Sequence, residues 1–265
     1  MKLAPSALFA ASFAAVLAMP AAAQSVFDGT WKADVNTAQF GGKPQERMLK
    51  DGSFTCKTCV PAYTVKADGT FQPVRGNPYM DATSVTVVDP STVKFAYRRA
   101  GKSTGEDTVT ISPDGRTATW KGVDRSAANG VPVEYDVQDT RVGTAPAGAH
   151  ALSGTWMAKS GGQVSESGLT VTLKTQGDTI TVTNPGGETI TARFGGPAAP
   201  VVGDPGKSMV KFVRTGASSY TSTTMRDGKV MSVNQVQVSP DGRTLTYKSE
   251  NKQNGGTSQF TATKQ

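Results

Sequence analysis

The chain carries one sequence pattern twice, and this duplication restricts what it can fold into. Three matched segments recur 125 to 127 residues apart. They are Gly29-Thr-Trp31 with Gly154-Thr-Trp156, Pro73-Val-Arg-Gly-Asn-Pro78 with Pro200-Val-Val-Gly-Asp-Pro205, and Ser112-Pro-Asp-Gly-Arg-Thr117 with Ser239-Pro-Asp-Gly-Arg-Thr244. Solenoid units repeat every ~20 to 50 residues, so this longer spacing indicates a duplicated domain. We therefore predict two tandem domains that share one fold.

The first 23 residues have the composition of a secretory signal peptide. Lys2 precedes a largely apolar run from Ala7 to Met19, and the small residues Ala21-Ala22-Ala23 form a cleavage site. The mature protein is expected to start near Gln24 and to be periplasmic or secreted. No later segment approaches 18 continuous apolar residues, so no membrane span is predicted.

The charge balance is mildly basic. The formal net charge is +7, or +6 once Lys2 is removed with the signal peptide. The nearest basic patches, around Arg98-Arg99 and Lys211, fall in alternating segments where charges normally face solvent. A nucleic-acid partner is not expected, because a basic stripe interleaved with stacking aromatic residues is missing. Attraction to an acidic surface such as anionic lipid headgroups stays open.

The hydrophobic pattern of the mature chain has a period of two, which is typical of strands. Clear examples are Ser84-Val-Thr-Val-Val88 and Leu169-Thr-Val-Thr-Leu173. Between such segments lie turn dipeptides that favour positive φ at hairpins. These are Asp51-Gly52, Asp68-Gly69, Asp114-Gly115, Gly186-Gly187, Asp227-Gly228 and Asp241-Gly242. The sequence therefore predicts an all-β protein of antiparallel neighbours with little helix.

Each half is predicted to contain about eight strands, the number that closes an up-and-down β-barrel. The expected domains are residues 24–142 and 152–265, joined by a linker of small residues at 143–151. The span from the Gly-Thr-Trp opening to the final strand is nearly complete in each half. This favours two closed barrels over one larger sheet shared between the halves.

The opening of each half resembles that of a known superfamily. Gly29-Thr-Trp31 and Gly154-Thr-Trp156 are similar to the Gly-X-Trp start of the calycins, which include lipocalins, fatty-acid-binding proteins and avidin-like barrels. The resemblance implies that Trp31 and Trp156 plug a barrel end and that a basic residue of the last strand covers each indole. Arg141 and Lys264 are the candidates, each within its own half. The repeat alignment slips by two residues there and sets Asp139 opposite Lys264, which leaves the assignment open.

Two further aromatic residues are candidate ligand contacts. Trp120 and Tyr247 occupy matched positions after the duplicated Ser-Pro-Asp-Gly-Arg-Thr hairpin. Both are placed to line a barrel interior, either as packing or as the wall of a ligand site. The hairpin motif itself is interpreted as turn chemistry.

Cys56 and Cys59 occur only in the first half. A c-type haem site is excluded because no His follows Cys59, and zinc is disfavoured because His150 is the sole His of the chain. In an exported protein, the pair is expected to form a local structural disulfide. A redox or thiol-sensing role is the alternative.

No residue pattern indicates catalysis. A single His in a linker excludes Ser-His-Asp and Cys-His arrangements, and no metal or cofactor is predicted. We therefore expect a non-catalytic protein that binds a small apolar or amphipathic ligand in a barrel. The alternative is an inhibitor-type or envelope protein with filled barrels, whose loops at 72–83 and 195–207 contact a protein partner.

Overall fold

A computed structural model describes residues 25–265, so the predicted signal peptide lies outside the described residues. The described chain is all-β, with 21 strands and one 3-10 turn at Glu166–Gly168. The strands of the first half are β1 (Gly29–Gly42), β2 (Gln45–Lys50), β3 (Ser53–Cys56), β4 (Tyr63–Lys66), β5 (Gln72–Pro73), β6 (Ala82–Asp89), β7 (Thr92–Arg99), β8 (Lys102–Ile111), β9 (Thr117–Asp124) and β10 (Val133–Val142). Those of the second half are β11 (Gly154–Ala158), β12 (Gln163–Val164), β13 (Thr170–Gln176), β14 (Thr179–Thr183), β15 (Thr189–Arg193), β16 (Ala199–Pro200), β17 (Met209–Gly216), β18 (Ser219–Arg226), β19 (Lys229–Val238), β20 (Thr244–Asn251) and β21 (Gly256–Lys264).

These strands form two nearly closed antiparallel barrels, which confirms the predicted fold class. Barrel 1 contains β2 to β11, and barrel 2 contains β1 together with β13 to β21. Each barrel therefore has ten strands rather than about eight, because short edge strands such as β5 and β16 add to the long ones. The short β12 pairs with β10 beside barrel 1.

The two halves exchange their first strands. In barrel 1, β11 of the second half lies between β10 and β2, and in barrel 2, β1 of the first half lies between β21 and β13. The expectation of two barrels built from contiguous halves is thus corrected: each barrel takes nine strands from one half and one from the other.

The connection between β1 and β2 explains why the chain does not turn back on itself. Only Lys43 and Pro44 separate the two strands. A type I′ hairpin requires positive φ at both central positions, which Pro44 cannot adopt, and a type II′ hairpin requires it at the first, where Lys43 would be strained. The chain instead leaves barrel 2 at Gly42, which has a φ of 78°, and enters barrel 1 at Gln45, opposite Trp156.

Isolated bridges connect the edges of each sheet. In barrel 1, Asp68 pairs with Thr86 next to the edge strand β4. In barrel 2, Thr189 pairs with Val202, and Phe194 pairs with Phe212. The dipeptide Asp68-Gly69 therefore helps to close a barrel rather than turning a hairpin.

Most of the other turn dipeptides behave as predicted. Asp51 and Gly52 connect β2 to β3 with φ values of 49° and 70°, and Asp227 and Gly228 connect β18 to β19 with 49° and 74°. Positive φ at both central residues is the signature of a type I′ turn, whose twist matches that of paired strands. These turns fix which residues of each strand face the barrel interior.

Candidate functional site

The two predicted plug residues occupy equivalent places. Trp31 and Trp156 are both fully buried. The Trp31 indole N–H donates to the carbonyl of Phe27 at 2.9 Å, and the Trp156 indole N–H donates to that of Leu152 at 2.8 Å. Each Trp is thus held at its barrel end with its single polar group satisfied.

A cation covers each indole, but it comes from the opposite half. The Lys264 ammonium lies 5.3 Å from the Trp31 ring centre, and the Arg141 guanidinium lies 4.1 Å from that of Trp156. Pairing within each half, as expected from the sequence, is therefore wrong, because the first strands are exchanged.

The strand register resolves the two-residue slip of the repeat alignment. Arg141 is paired with Trp156, and Lys264 is paired with Trp31. These two cations are therefore the equivalent residues. Asp139 lies two positions away and forms a partly buried ion pair with Arg47 at 3.1 Å.

A row of interior positions, matched strand by strand, shows how the two barrels differ. In barrel 1, cross-strand pairing gives the row Val85, Phe95, Asp107, Gly122 and Tyr135. The equivalent row of barrel 2 is Phe212, Ser222, Asn234, Ser249 and Ser258. Ser residues thus replace Phe95 and Tyr135, so the second row has much less side-chain volume.

Barrel 1 is filled at this level by a buried polar cluster. The Asp107 carboxylate accepts hydrogen bonds from the hydroxyls of Tyr97, at 2.8 Å, and Tyr135. Burial raises the pKa of Asp107, and the hydrogen bonds from Tyr135 and Tyr97 only partly oppose this effect. Burial and the neighbouring carboxylate likewise raise the pKa of Tyr97.

Gly122 makes room for this cluster. A Cβ at this position would lie 2.6 Å from the carbonyl oxygen of Glu106 and 2.8 Å from the Tyr135 hydroxyl, and it would also contact the Asp107 carboxylate. Any larger residue at position 122 would displace the Asp107 carboxylate, which accepts the hydrogen bonds of both tyrosine hydroxyls. The matched Ser249 of barrel 2 faces no such crowding, because Asn234 and Ser258 are its partners in the row.

Trp120, one of the two candidate wall residues, lies within the filled interior of barrel 1. The Arg47 guanidinium lies 4.5 Å from its ring centre, and the Phe95 ring stacks at 5.9 Å on it. These contacts assign Trp120 to the packed core.

Barrel 2 instead contains a half-open cavity of about 600 Å³. Tyr247, the other candidate wall residue, lines it. The interior row nearer the plug comprises Tyr220, Val236, Tyr247 and Phe260, so the deep part of the cavity is mostly apolar. This volume falls in the range of ~300 to 1,000 Å³ that small-molecule sites occupy.

The cavity becomes polar toward its mouth. Asn234, which is 7% exposed, donates its amide N–H to the Ser222 hydroxyl at 3.1 Å and accepts from the Ser249 hydroxyl at 2.7 Å. One step further outward, Thr224 and Ser232 are cross-strand neighbours, and both line the cavity. The wall therefore suits a molecule with one apolar and one polar end.

The mouth contains residues from both halves. Tyr79, from the 72–83 loop of the first half, lines the cavity of barrel 2, and its hydroxyl accepts a hydrogen bond from Arg226. Asp204, from the matched 195–207 loop, lies on the same rim with Glu188. The two loops predicted as a contact surface thus meet at the opening.

Burial alone would raise the pKa of Asp204. Hydrogen bonds from the Ser208 side chain and from the backbone amides of Ser208 and Gly206 outweigh that effect and hold the pKa below its ordinary value. Asp204 is therefore a carboxylate at neutral pH.

A second concave region of about 950 Å³ lies on the outer face of barrel 1 and is open to solvent. Four of its charged residues form two ion pairs. Lys121 contacts Asp136 at 3.0 Å, and Arg125 contacts Glu106 at 3.2 Å. Exposed pairs of this kind are ordinary surface features.

The predicted disulfide between Cys56 and Cys59 is present. Cys56 lies in the apolar core of barrel 1, and Cys59 packs against that core. Across residues 25–265, no group of three or more His, Cys, Asp or Glu is placed to hold a metal ion. Over the same residues, no helix has the length and apolar character needed to cross a membrane.

The sequence did not single out Ser222, Asn234, Ser249, Glu188 or Tyr79. A signal was nevertheless present, because a position-by-position comparison of the repeats sets Phe95 against Ser222. Loss of a large residue at a matched interior position marks the barrel that is hollow.

The fold and site together define a protein of two strand-exchanged barrels, one filled and one hollow. No protein-family model, curated protein or solved structure matches the chain significantly.

Proposed function

We propose that this is an exported, non-catalytic binding protein that holds a small amphipathic molecule inside barrel 2. The observation that carries the proposal is the cavity of about 600 Å³, apolar at its base and polar toward its mouth. Export is supported by the signal-peptide composition of the first 23 residues, and a relationship to the calycins is supported by the two Gly-Thr-Trp openings.

Barrel 1 supports the proposal as an internal comparison. It has the same origin and topology, but Phe95, Tyr135 and Trp120 occupy its interior. The small residues of barrel 2 leave free volume that a packed core would not retain, since each such void forfeits packing energy. A binding role accounts for the retained void.

The first test is native mass spectrometry of the mature protein purified from its own host. We expect an added mass that heating or organic solvent releases. Barrel 1 also suggests a blocking variant, Ser222→Phe, which introduces the matched residue of the filled barrel. This variant should fold and lose the added mass.

Gln235→Phe is the matched control, because Gln235 neighbours Asn234 on the same strand but is exposed. It adds an aromatic ring outside the cavity and should keep the ligand. A bare wild-type mass, together with no binding of amphiphiles added in vitro, would contradict the proposal. That result would favour the alternative, a protein partner bound by the 72–83 and 195–207 loops.

A further inference from the structure

The charges at the mouth of barrel 2 distinguish between classes of amphiphile. Among the described residues that line the cavity, Glu188 and Asp204 are acidic and none is Lys or Arg. The aromatic ring of Tyr79 lies on the same rim. Two carboxylates and an aromatic face are the groups that attract an organic cation.

Glu188 is the carboxylate most available to a ligand. Within residues 25–265 its side chain forms no hydrogen bond and no ion pair, whereas Asp204 is engaged by the amides of Gly206 and Ser208. Glu188 is half-buried next to the apolar wall, where screening by water is reduced.

Arg226 is the basic group to weigh against these acids. Its guanidinium donates to the Tyr79 hydroxyl and, at 3.1 Å, to the Ser208 hydroxyl, and it lies 5.1 Å from the Tyr79 ring centre. Arg226 itself does not line the cavity, although both of its hydrogen-bond partners do, and its guanidinium packs against Gly206 beside Asp204. With two carboxylates and one guanidinium, the rim keeps an excess of negative charge.

We infer that the ligand of barrel 2 is a cationic amphiphile, with an apolar chain against the deep wall and an ammonium-type head beside Glu188, Asp204 and the Tyr79 ring. The inference rests on the proposed function, because it names the ligand class of the same cavity. An anionic head such as a carboxylate would meet two like charges at the mouth without a basic partner in the lining.

The test compares three probes that share one chain length: dodecyltrimethylammonium, dodecanol and dodecanoate. Binding to the full mature protein is measured by isothermal titration calorimetry at neutral pH and low salt, below the micelle concentration of each probe. We expect dodecyltrimethylammonium to bind at least about tenfold more tightly than dodecanoate, a difference of about 1.4 kcal/mol, with dodecanol between them.

The variant Glu188→Gln removes one rim charge and keeps the side-chain shape. It should weaken the affinity for dodecyltrimethylammonium several-fold and leave the affinity for dodecanol unchanged. Glu106→Gln, on the outer face of barrel 1, makes the same change in net charge and should alter neither affinity. If both variants lost the same affinity for dodecyltrimethylammonium, the effect would come from net charge, and the inference would be overturned.

The outcomes separate the inference from the proposed function. If dodecanol or dodecanoate binds at least as tightly as the cation, and Ser222→Phe abolishes that binding, the cavity is a ligand site but the cationic class is wrong. If none of the three probes binds, both the inference and the proposed function fail.

Discussion

Lys264 lies over the indole of Trp31, so β21 covers a residue of β1. Arg141 and Trp156 repeat this relationship at the other barrel. The two contacts are chemically alike but differ in their surroundings. Arg141 also donates to the backbone carbonyls of Gly115, Ala151 and Ser153, which ties the 143–153 connection to the barrel end.

This difference predicts unequal costs for removing the two cations. Arg141→Met loses the cation–π contact and leaves three carbonyls without their donor, so it should lower the free energy of unfolding by about 2 to 3 kcal/mol. Lys264→Met loses only the cation–π contact, worth about 1 kcal/mol or less. Urea unfolding followed by Trp fluorescence measures both, and equal costs would contradict the assignment.

The strand exchange predicts that neither half forms a barrel alone as a monomer. Residues 25–142 lack the strand between β10 and β2, while residues 143–265 lack the strand between β21 and β13. Each fragment alone should dimerise by docking its own first strand into a second copy, and the mixed fragments should form a one-to-one complex. Size-exclusion chromatography with light scattering checks this. A monomeric fragment with cooperative unfolding would show that the exchange is dispensable.

The buried Asp107 predicts that the difference in folding stability between wild type and Asp107→Asn depends on pH. Because its pKa is raised in the folded state, the folded protein binds the proton more tightly than the unfolded chain. This group therefore lowers stability as the pH rises from the ordinary Asp pKa of about 3.9 through its raised folded value. Asp107→Asn, which copies Asn234 of barrel 2, should gain stability relative to wild type as the pH rises.

Asp114 supplies the opposite control for that measurement. A hydrogen bond from the Ser112 side chain is the main cause of the lowered pKa of Asp114. The contribution of Asp114 to folding stability is therefore present above the ordinary Asp pKa and is lost as the pH falls. Asp114→Asn should therefore lose stability relative to wild type with rising pH. Urea unfolding at pH 3.5, 5 and 7 gives both slopes, and parallel slopes would exclude a buried ionisable Asp107.

The disulfide predicts a modest stabilisation and no thiol chemistry. The double variant Cys56→Ser/Cys59→Ser opens a loop of only four residues, so the chain-entropy model sets its cost at about 2 kcal/mol. Burial of Cys56 in the core adds a polar-group penalty when Ser replaces it. Thiol titration of the native wild type should detect no free thiol, while two fast-reacting thiols would favour the redox alternative.

The sequence predicted the elements far better than their connections. Period-two segments and Asp-Gly turns located most strands, because alternation and positive φ are local properties. The strand exchange could not be predicted in this way, since Gly29-Thr-Trp31 and Gly154-Thr-Trp156 are the same and fit either barrel equally. A barrel with room for a ligand was expected, but which barrel is hollow was not predicted, because this depends on cross-strand neighbours such as Ser222 and Asn234.

The placement of β1 also sets the order in which the protein can be completed. Among the strands that the structure describes, β1 is synthesised first and its partner β21 last, so these pairings join residues more than 200 positions apart, such as Trp31 and Lys264. Contacts of this kind slow folding, because the loop entropy is lost before the pairing energy is gained. Barrel 1 can close once β11 has been made, whereas barrel 2 keeps exposed strand edges until the final residues emerge. Of the two barrels, the one with the cavity is therefore the last to form.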